Sequence, residues 1–176
     1  MFVLRGLGGI GKTQLAVEFT RRHQARFSAV FWLDGRSESS LKQSIALSAS
    51  RIPEGQIPEA SRAYSTSSGG DVKSTVTDVL GWLGKSDNGQ WLLVFDNVDR
   101  EYKDGKTDDD AYDIRRYIPE ADHGAILITT RLAKLERVGI ALKLNKVDEG
   151  QARAIFHRWY GRAVGTAAKG SYGCYC

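Results

Sequence analysis

No stretch of the chain approaches the roughly 18–20 consecutive apolar residues that cross a bilayer. The opening Met1-Phe2-Val3-Leu4 is too short for the apolar centre of a signal peptide. A membrane partner is therefore not expected, and a cytoplasmic setting is. Cysteine is almost missing: Cys174 and Cys176 both lie in the last three residues, where they cannot staple distant parts of a fold. Two ligands on a glycine-rich tail are also too few for a soft metal site. Basic tracts are missing too. The chain carries 25 Lys+Arg against 21 Asp+Glu, a net charge of +4, but the cations are dispersed, which argues against nucleic acid as a partner. His23, His123 and His157 have no metal-ligand spacing and are expected at the surface.

What is present fits one α/β domain. The 176 residues are 41% hydrophobic and 26% charged, a globular composition at single-domain length. Apolar periodicity alternates between strand and helix, which implies a mostly parallel sheet covered by helices. Strands are predicted at 2–5, 29–33, 91–95, 125–129 and 141–144. Helices are predicted from Lys12 to about His23, with Leu15, Ala16 and Phe19 inward, from Ser40 to Ser50, with Leu41 and Ile45 inward, and from Val72 through Leu83. Residues 52–71 read as an irregular connection, and a short helix is expected from Ala111 to Tyr117. Asp148 and Gln151 form a capping-box pattern ahead of a final helix bearing Ala152, Ile155, Phe156 and Trp159.

Glycine is in excess, at 19 residues, and four glycines fall between Gly6 and Gly11. Gly6-Leu7-Gly8-Gly9-Ile10-Gly11-Lys12-Thr13 satisfies the phosphate-loop pattern in full, between a predicted strand and a predicted helix. Such glycines let backbone N–H groups turn around phosphate oxygens, and the helix adds its positive dipole end. The expected binding set is Gly6, Gly8, Gly9, Ile10, Gly11, Lys12, Thr13 and Gln14, with Lys12 on the terminal phosphates and the Thr13 hydroxyl on Mg²⁺. The letters Gly6-x-Gly8-x-x-Gly11 also match the dinucleotide fingerprint, with Asp34 near the place of a ribose-binding acid. That reading of an NAD-binding protein leaves Lys12-Thr13 without a reason.

Trp91-Leu92-Leu93-Val94-Phe95-Asp96 is an apolar run ending in an acid, which suits a buried strand delivering one carboxylate to a ligand crevice. Asp96 is the expected Mg²⁺ partner. The neighbouring Asn97 is an amide and cannot act as a general base. Asp99 substitutes as the catalytic carboxylate that polarises the attacking water only if its loop folds back, so hydrolysis is expected to be slow at most. The next strand ends in Thr130-Arg131, and Arg131, with a planar fork suited to phosphate oxygens, is the candidate sensor of a third phosphate.

Asn145-Lys146-Val147-Asp148 has the Asn-Lys-x-Asp form by which guanine-specific GTPases resemble one another. The glycine that such proteins carry after the metal-binding strand is replaced here by Asp99, and Asp148 has a second explanation as a helix cap. A guanine-nucleotide GTPase is the alternative reading, with a pseudo-switch that only offers an interaction surface as a third.

Taken together, residues 6–16, Phe31-Trp32-Leu33-Asp34, the run from Trp91 to Asp99 and Ile126-Leu127-Ile128-Thr129-Thr130-Arg131 resemble the NB-ARC family. These are the STAND-class P-loop nucleotide switches of plant disease-resistance proteins, apoptosome activators and fungal NOD-like receptors; the Asp-Asn-Val-Asp version is most similar to fungal members. The resemblance covers about residues 1–160. It implies a three-layer P-loop NTPase sandwich with a five-stranded parallel sheet ordered 2-3-4-1-5. It also implies ADP or ATP with Mg²⁺, a signalling role in innate immunity or cell death, and self-association through flanking domains. The family's helical and winged-helix domains have no counterpart in these letters. The expectation is a fragment: a nucleotide-binding domain at 1–160 with a shortened first strand, and a disordered tail at 161–176.

Overall fold

In the computed structural model, which describes residues 1–66, 70–100, 111–154 and 156–157, all five expected strands form. The chain divides into two units, Met1–Leu144 and Asn145–Cys176, each described here by itself. The first unit contains β1 (Phe2–Arg5), α1 (Lys12–His23), β2 (Ala29–Asp34), α2 (Glu38–Ser48), α3 (Glu59–Arg62), α4 (Val72–Leu83), β3 (Trp91–Asp96), β4 (Ala125–Thr130) and β5 (Ile140–Lys143). The sheet is five-stranded in the order β2-β3-β4-β1-β5, and every pairing is parallel. Fold class and strand order are those the resemblance implies.

β3 is buried from end to end, which explains its uninterrupted apolar run, since a central parallel strand has no solvent face on which to alternate. On one side of the sheet Phe31, Leu33, Leu93, Phe95 and Ile128 pack with Leu41 and Ile45 of α2 and with Val76, Val79 and Leu83 of α4. The other side is thinner: Leu4, Leu92, Val94 and Leu127 cluster with Ala16 of α1. There the expected inward residues Leu15 and Phe19 remain exposed. They line an apolar groove of about 730 Å³ with Phe2, Phe27, Leu142 and the start of β3 and β4. Helix α1 therefore presents its predicted face to the sheet without being fully covered there.

Several boundaries differ from those predicted, each for a local reason. α2 starts at Glu38 because Ser37 and Ser40 exchange side-chain-to-backbone hydrogen bonds of 3.1 Å in a capping box built from two serines. α4 ends at Leu83, as its apolar spacing predicts, on a C-cap at Gly84. Within residues 52–71, α3 forms and is tied to α4 by the Ser61 hydroxyl, which donates to Asp78 at 2.6 Å. The helix expected at 111–117 is a 3-10 turn, Ile114–Tyr117, capped by Asp113. His123, expected at the surface, is half-buried: its ring stands edge-on to Trp91 at 6.0 Å and bonds the Leu83 carbonyl. In the second unit, Asp148 and Gln151 form the expected capping box, with bonds of 2.7 and 3.1 Å, and residues 149–154 and 156–157 are helical. Ile155, Trp159, Cys174, Cys176 and the expected tail at 161–176 lie outside the described residues.

The Tyr117 hydroxyl donates to the Glu38 carboxylate at the start of α2, and Lys42 pairs with the same group at 3.1 Å. The hydrogen bond from Tyr117, with help from Lys42 and Arg116, holds the Glu38 carboxyl below the usual range. A depressed folded-state pKa contributes stability above the unfolded value and loses it as pH falls through the folded value. Tyr117→Phe is expected to cost about 1 kcal/mol at neutral pH, and the cost should shrink once pH drops below the ordinary glutamate value of about 4.3. Urea unfolding of both chains at the two pH values tests this; equal cost at both would break the link to Glu38.

Candidate functional site

The carboxyl ends of β1, β3 and β4 lie side by side, and each leads into polar residues. After β1 the chain continues its ladder for one bond, Gly6 N–H to the Thr130 carbonyl at 3.2 Å, and then turns. Gly9 and Gly11 adopt φ of +74° and +96°, in the left-handed region that costs a residue with a Cβ energy. Room is not the reason at these two positions, because an added Cβ at either would meet nothing within 4 Å. At Gly6 the reverse holds: a Cβ would stand 2.9 Å from the Leu144 carbonyl oxygen.

Gly11 is the N-cap of α1 and no side chain caps that helix. The N–H groups of its first turn, from Lys12 onward, are therefore the orphan donors of a helix N-terminus, aimed into the loop's concavity. Lys12 is only 7% exposed. Its ammonium donates to the Gly6 and Leu7 carbonyls at 2.9 and 3.0 Å. Two of its three donors thus close the loop, and one remains. Residues 8–14 share a cleft of about 410 Å³ with Asn97, Asp99 and Arg131. Every expected site residue lines it except Gly6 and Asp96.

Asp96 lies just beneath, 6% exposed. Its carboxylate accepts from the Thr13 hydroxyl at 2.9 Å, from the Thr129 hydroxyl at 2.5 Å and from the Asn97 side-chain amide at 3.2 Å. Thr13 and Asp96, 83 residues apart in sequence, are thereby brought into contact as two hard oxygen donors. Mg²⁺ favours such a set, since it takes few protein ligands and completes its shell with water and phosphate. Among the described residues no group of three or more His, Cys, Asp or Glu converges as a metal cage.

The end of β4 braces the loop after β3 residue by residue. Asn97 N–H donates to the Thr129 hydroxyl at 2.9 Å and Val98 N–H to the Thr129 carbonyl at 3.0 Å. The Thr130 hydroxyl donates to the Val98 carbonyl. Arg131 donates to Asp99 from its backbone N–H at 2.6 Å and from Nε at 2.7 Å. Asn97 takes φ of +62° within this brace, a conformation that asparagine tolerates better than most residues. Thr129 is the participant that sequence reasoning left without a role; the only trace it leaves there is a hydroxyl at the end of an otherwise apolar strand.

Asp34, the acid of the dinucleotide reading, is bound by Arg36 at 2.9 Å, and that hydrogen bond holds its carboxyl below the usual range. Its strand pairs with β3, with Asp34 opposite Asp96, while β1 lies between β4 and β5. Three strand spacings of about 4.8 Å put β2 about 14 Å from the strand that carries the loop. In the dinucleotide fold those two strands are neighbours.

No protein-family model matches the chain. In an alignment of 137 positions that covers 73% of the chain, the chain is 30% identical to a nucleotide-binding leucine-rich repeat (NLR)-like protein of Hyaloscypha variabilis, and it spans 13% of that protein. No helix among the described residues is long and apolar enough to cross a membrane.

Thr129→Val keeps the shape of a fully buried side chain but removes a donor from Asp96 and an acceptor from Asn97. Leaving both groups short of a partner should cost about 1–3 kcal/mol, and Thr129→Ser should recover most of it. Denaturant midpoints for the three chains decide; a valine variant as stable as the parent would mean that the brace contributes little.

Proposed function

We propose that the chain is the nucleotide-binding module of an NB-ARC-type signalling switch, binding ADP or ATP with Mg²⁺ and hydrolysing slowly. The observation that carries this reading is the contact between Thr13 and Asp96 beneath an uncapped, glycine-lined helix start. The loop's N–H groups and the α1 N-terminus would hold phosphate oxygens, and Lys12 would direct its remaining donor to the terminal phosphates. Thr13 and Asp96 would hold Mg²⁺, which would neutralise charge across the phosphates. Arg131, 59% exposed at the cleft rim, suits contact with a third phosphate.

Slow hydrolysis follows from what surrounds the site of attack. The Asn97 amide has no basic lone pair for a proton and is bonded to Asp96. Both oxygens of Asp99 are engaged by Arg131. The similarity to an NLR-like protein supports a role in a signalling assembly, of the innate-immune or cell-death kind and with self-association through further domains. For the base, adenine is preferred to guanine: Asp148, the residue that would read guanine, is occupied as the cap of its own helix.

Titration with fluorescent ADP, GDP and NAD analogues, with and without Mg²⁺, tests the reading. Mg²⁺-dependent ADP binding is expected, and Lys12→Ala should weaken it by about ten- to a hundredfold, the worth of a charge-assisted phosphate contact. Retained affinity in that variant would sink the phosphate-loop assignment. A GDP preference of about tenfold or more would favour the GTPase, and NAD binding indifferent to Mg²⁺ the dinucleotide protein.

A further inference from the structure

We propose that Asp99 is a positioning residue: it aims the Arg131 guanidinium over the phosphate loop, so that preference for a nucleoside triphosphate over a diphosphate depends on a carboxylate that does not touch the ligand. The inference rests on the nucleotide reading above and assigns Asp99 a different task from polarising water.

The geometry is a two-point clamp. One Asp99 oxygen accepts the Arg131 backbone N–H at 2.6 Å and the other accepts Nε at 2.7 Å. Fixing Nε as well as the main chain leaves the guanidinium plane little freedom, although Arg131 is 59% exposed while Asp99 is only 16% exposed. The less exposed member therefore sets the orientation of the more exposed one. Asp99 is itself held by the loop that Thr129 and Thr130 brace through Val98. Nε is the innermost of the guanidinium nitrogens, and its capture by Asp99 fixes the plane in which the outer two lie. Neither Nη nitrogen is hydrogen-bonded among the described residues, and Nη1 lies 3.8 Å from where a Cβ on Gly8 would stand. The Nη1 donors thus lie beside the loop in the cleft that residues 8–14 line. A freely rotating arginine would supply the same charge without the direction, and direction is what distinguishes an added phosphate from the general negative charge of a diphosphate.

Asp99→Asn tests the clamp, because it keeps the size and the oxygen for the backbone N–H but sets an amide N–H against Nε. Calorimetry on the full chain with Mg²⁺ gives the affinities for ADP and for the β,γ-methylene analogue of ATP. The variant is expected to lose about tenfold in triphosphate affinity, as for one misdirected charge-assisted hydrogen bond, with ADP affinity within about twofold of the parent. Arg131→Ala should lose as much, and the double variant no more than either alone. Asp99→Glu, which retains a carboxylate for Nε, should restore part of the discrimination. An unchanged ratio in Asp99→Asn, an equal loss for both nucleotides, or additive losses in the double variant would overturn the positioning role while leaving the nucleotide reading intact. Failure of the parent chain to bind either nucleotide would overturn both.

Discussion

A carboxylate at the end of a strand that has no solvent face must be paired where it stands, because a buried charge without partners costs several kcal/mol. Asp96 meets that demand with donors from three separate segments: Thr13 in the first turn of α1, Thr129 at the end of β4 and Asn97 in its own loop. Satisfying one charge therefore positions three pieces of chain against each other. The first turn of α1 is placed by it, and with that turn the N–H groups and Lys12, which on the proposed reading would hold phosphate.

The polar letters at the ends of β3 and β4 act as one object for the same reason. β4 pairs with β3 in register, Phe95 opposite Ile128, and beyond the ladder the contacts continue outward from Asp96–Thr129 through Val98–Thr130 to Asp99–Arg131. A disturbance in the buried contact is transmitted to the exposed one, since each contact sets the start of the next. Arg131 thus belongs mechanically to the interior of the sheet although its side chain lies at the rim. The sheet is also unequal in its two faces. Helices α2 and α4 fill one side, whereas among the described residues of this unit α1 is the helix on the other and leaves Leu15, Phe19 and Leu142 exposed. Rigidity at the site accordingly comes from the strands and the fuller face.

The strands were readable because β3 and β4 are apolar runs ending at polar residues, and the phosphate loop because its spacing is dictated by dihedral angles that glycine alone takes at low cost. Strand order was available only through resemblance; no periodicity in Phe2–Arg5 or Ile140–Lys143 says that these two strands are neighbours. The start of α2 was misplaced because its cap is a pair of serines rather than the serine–glutamate pattern. Asp99 and Arg131 were both legible as candidates, but their union was not, since it joins residues 32 apart through a register that letters do not carry. Burial of His123 likewise depends on the ring of Trp91 and a carbonyl from Leu83, neither of which is near it in sequence.

Magnitudes limit what this unit can do as a switch. Moving a two-state equilibrium from 1:99 to 99:1 takes about 5.5 kcal/mol of differential affinity, and a hydrogen bond to a charged group supplies about 1.5–3 kcal/mol. A single arginine on a third phosphate therefore provides about half or less of the required difference. Lys12 and the glycine N–H groups do not close the gap, because contacts made equally to both nucleotides shift nothing however strong they are. A complete switch built on this site must draw the remainder from contacts that exist in only one arrangement of the surrounding chain. The site residues described here all lie in one unit, Met1–Leu144, so on the proposed reading a third phosphate would be read here and its effect multiplied beyond that unit. The direction of Arg131 would then matter more than its charge, because a small signal survives amplification only if the diphosphate does not imitate it.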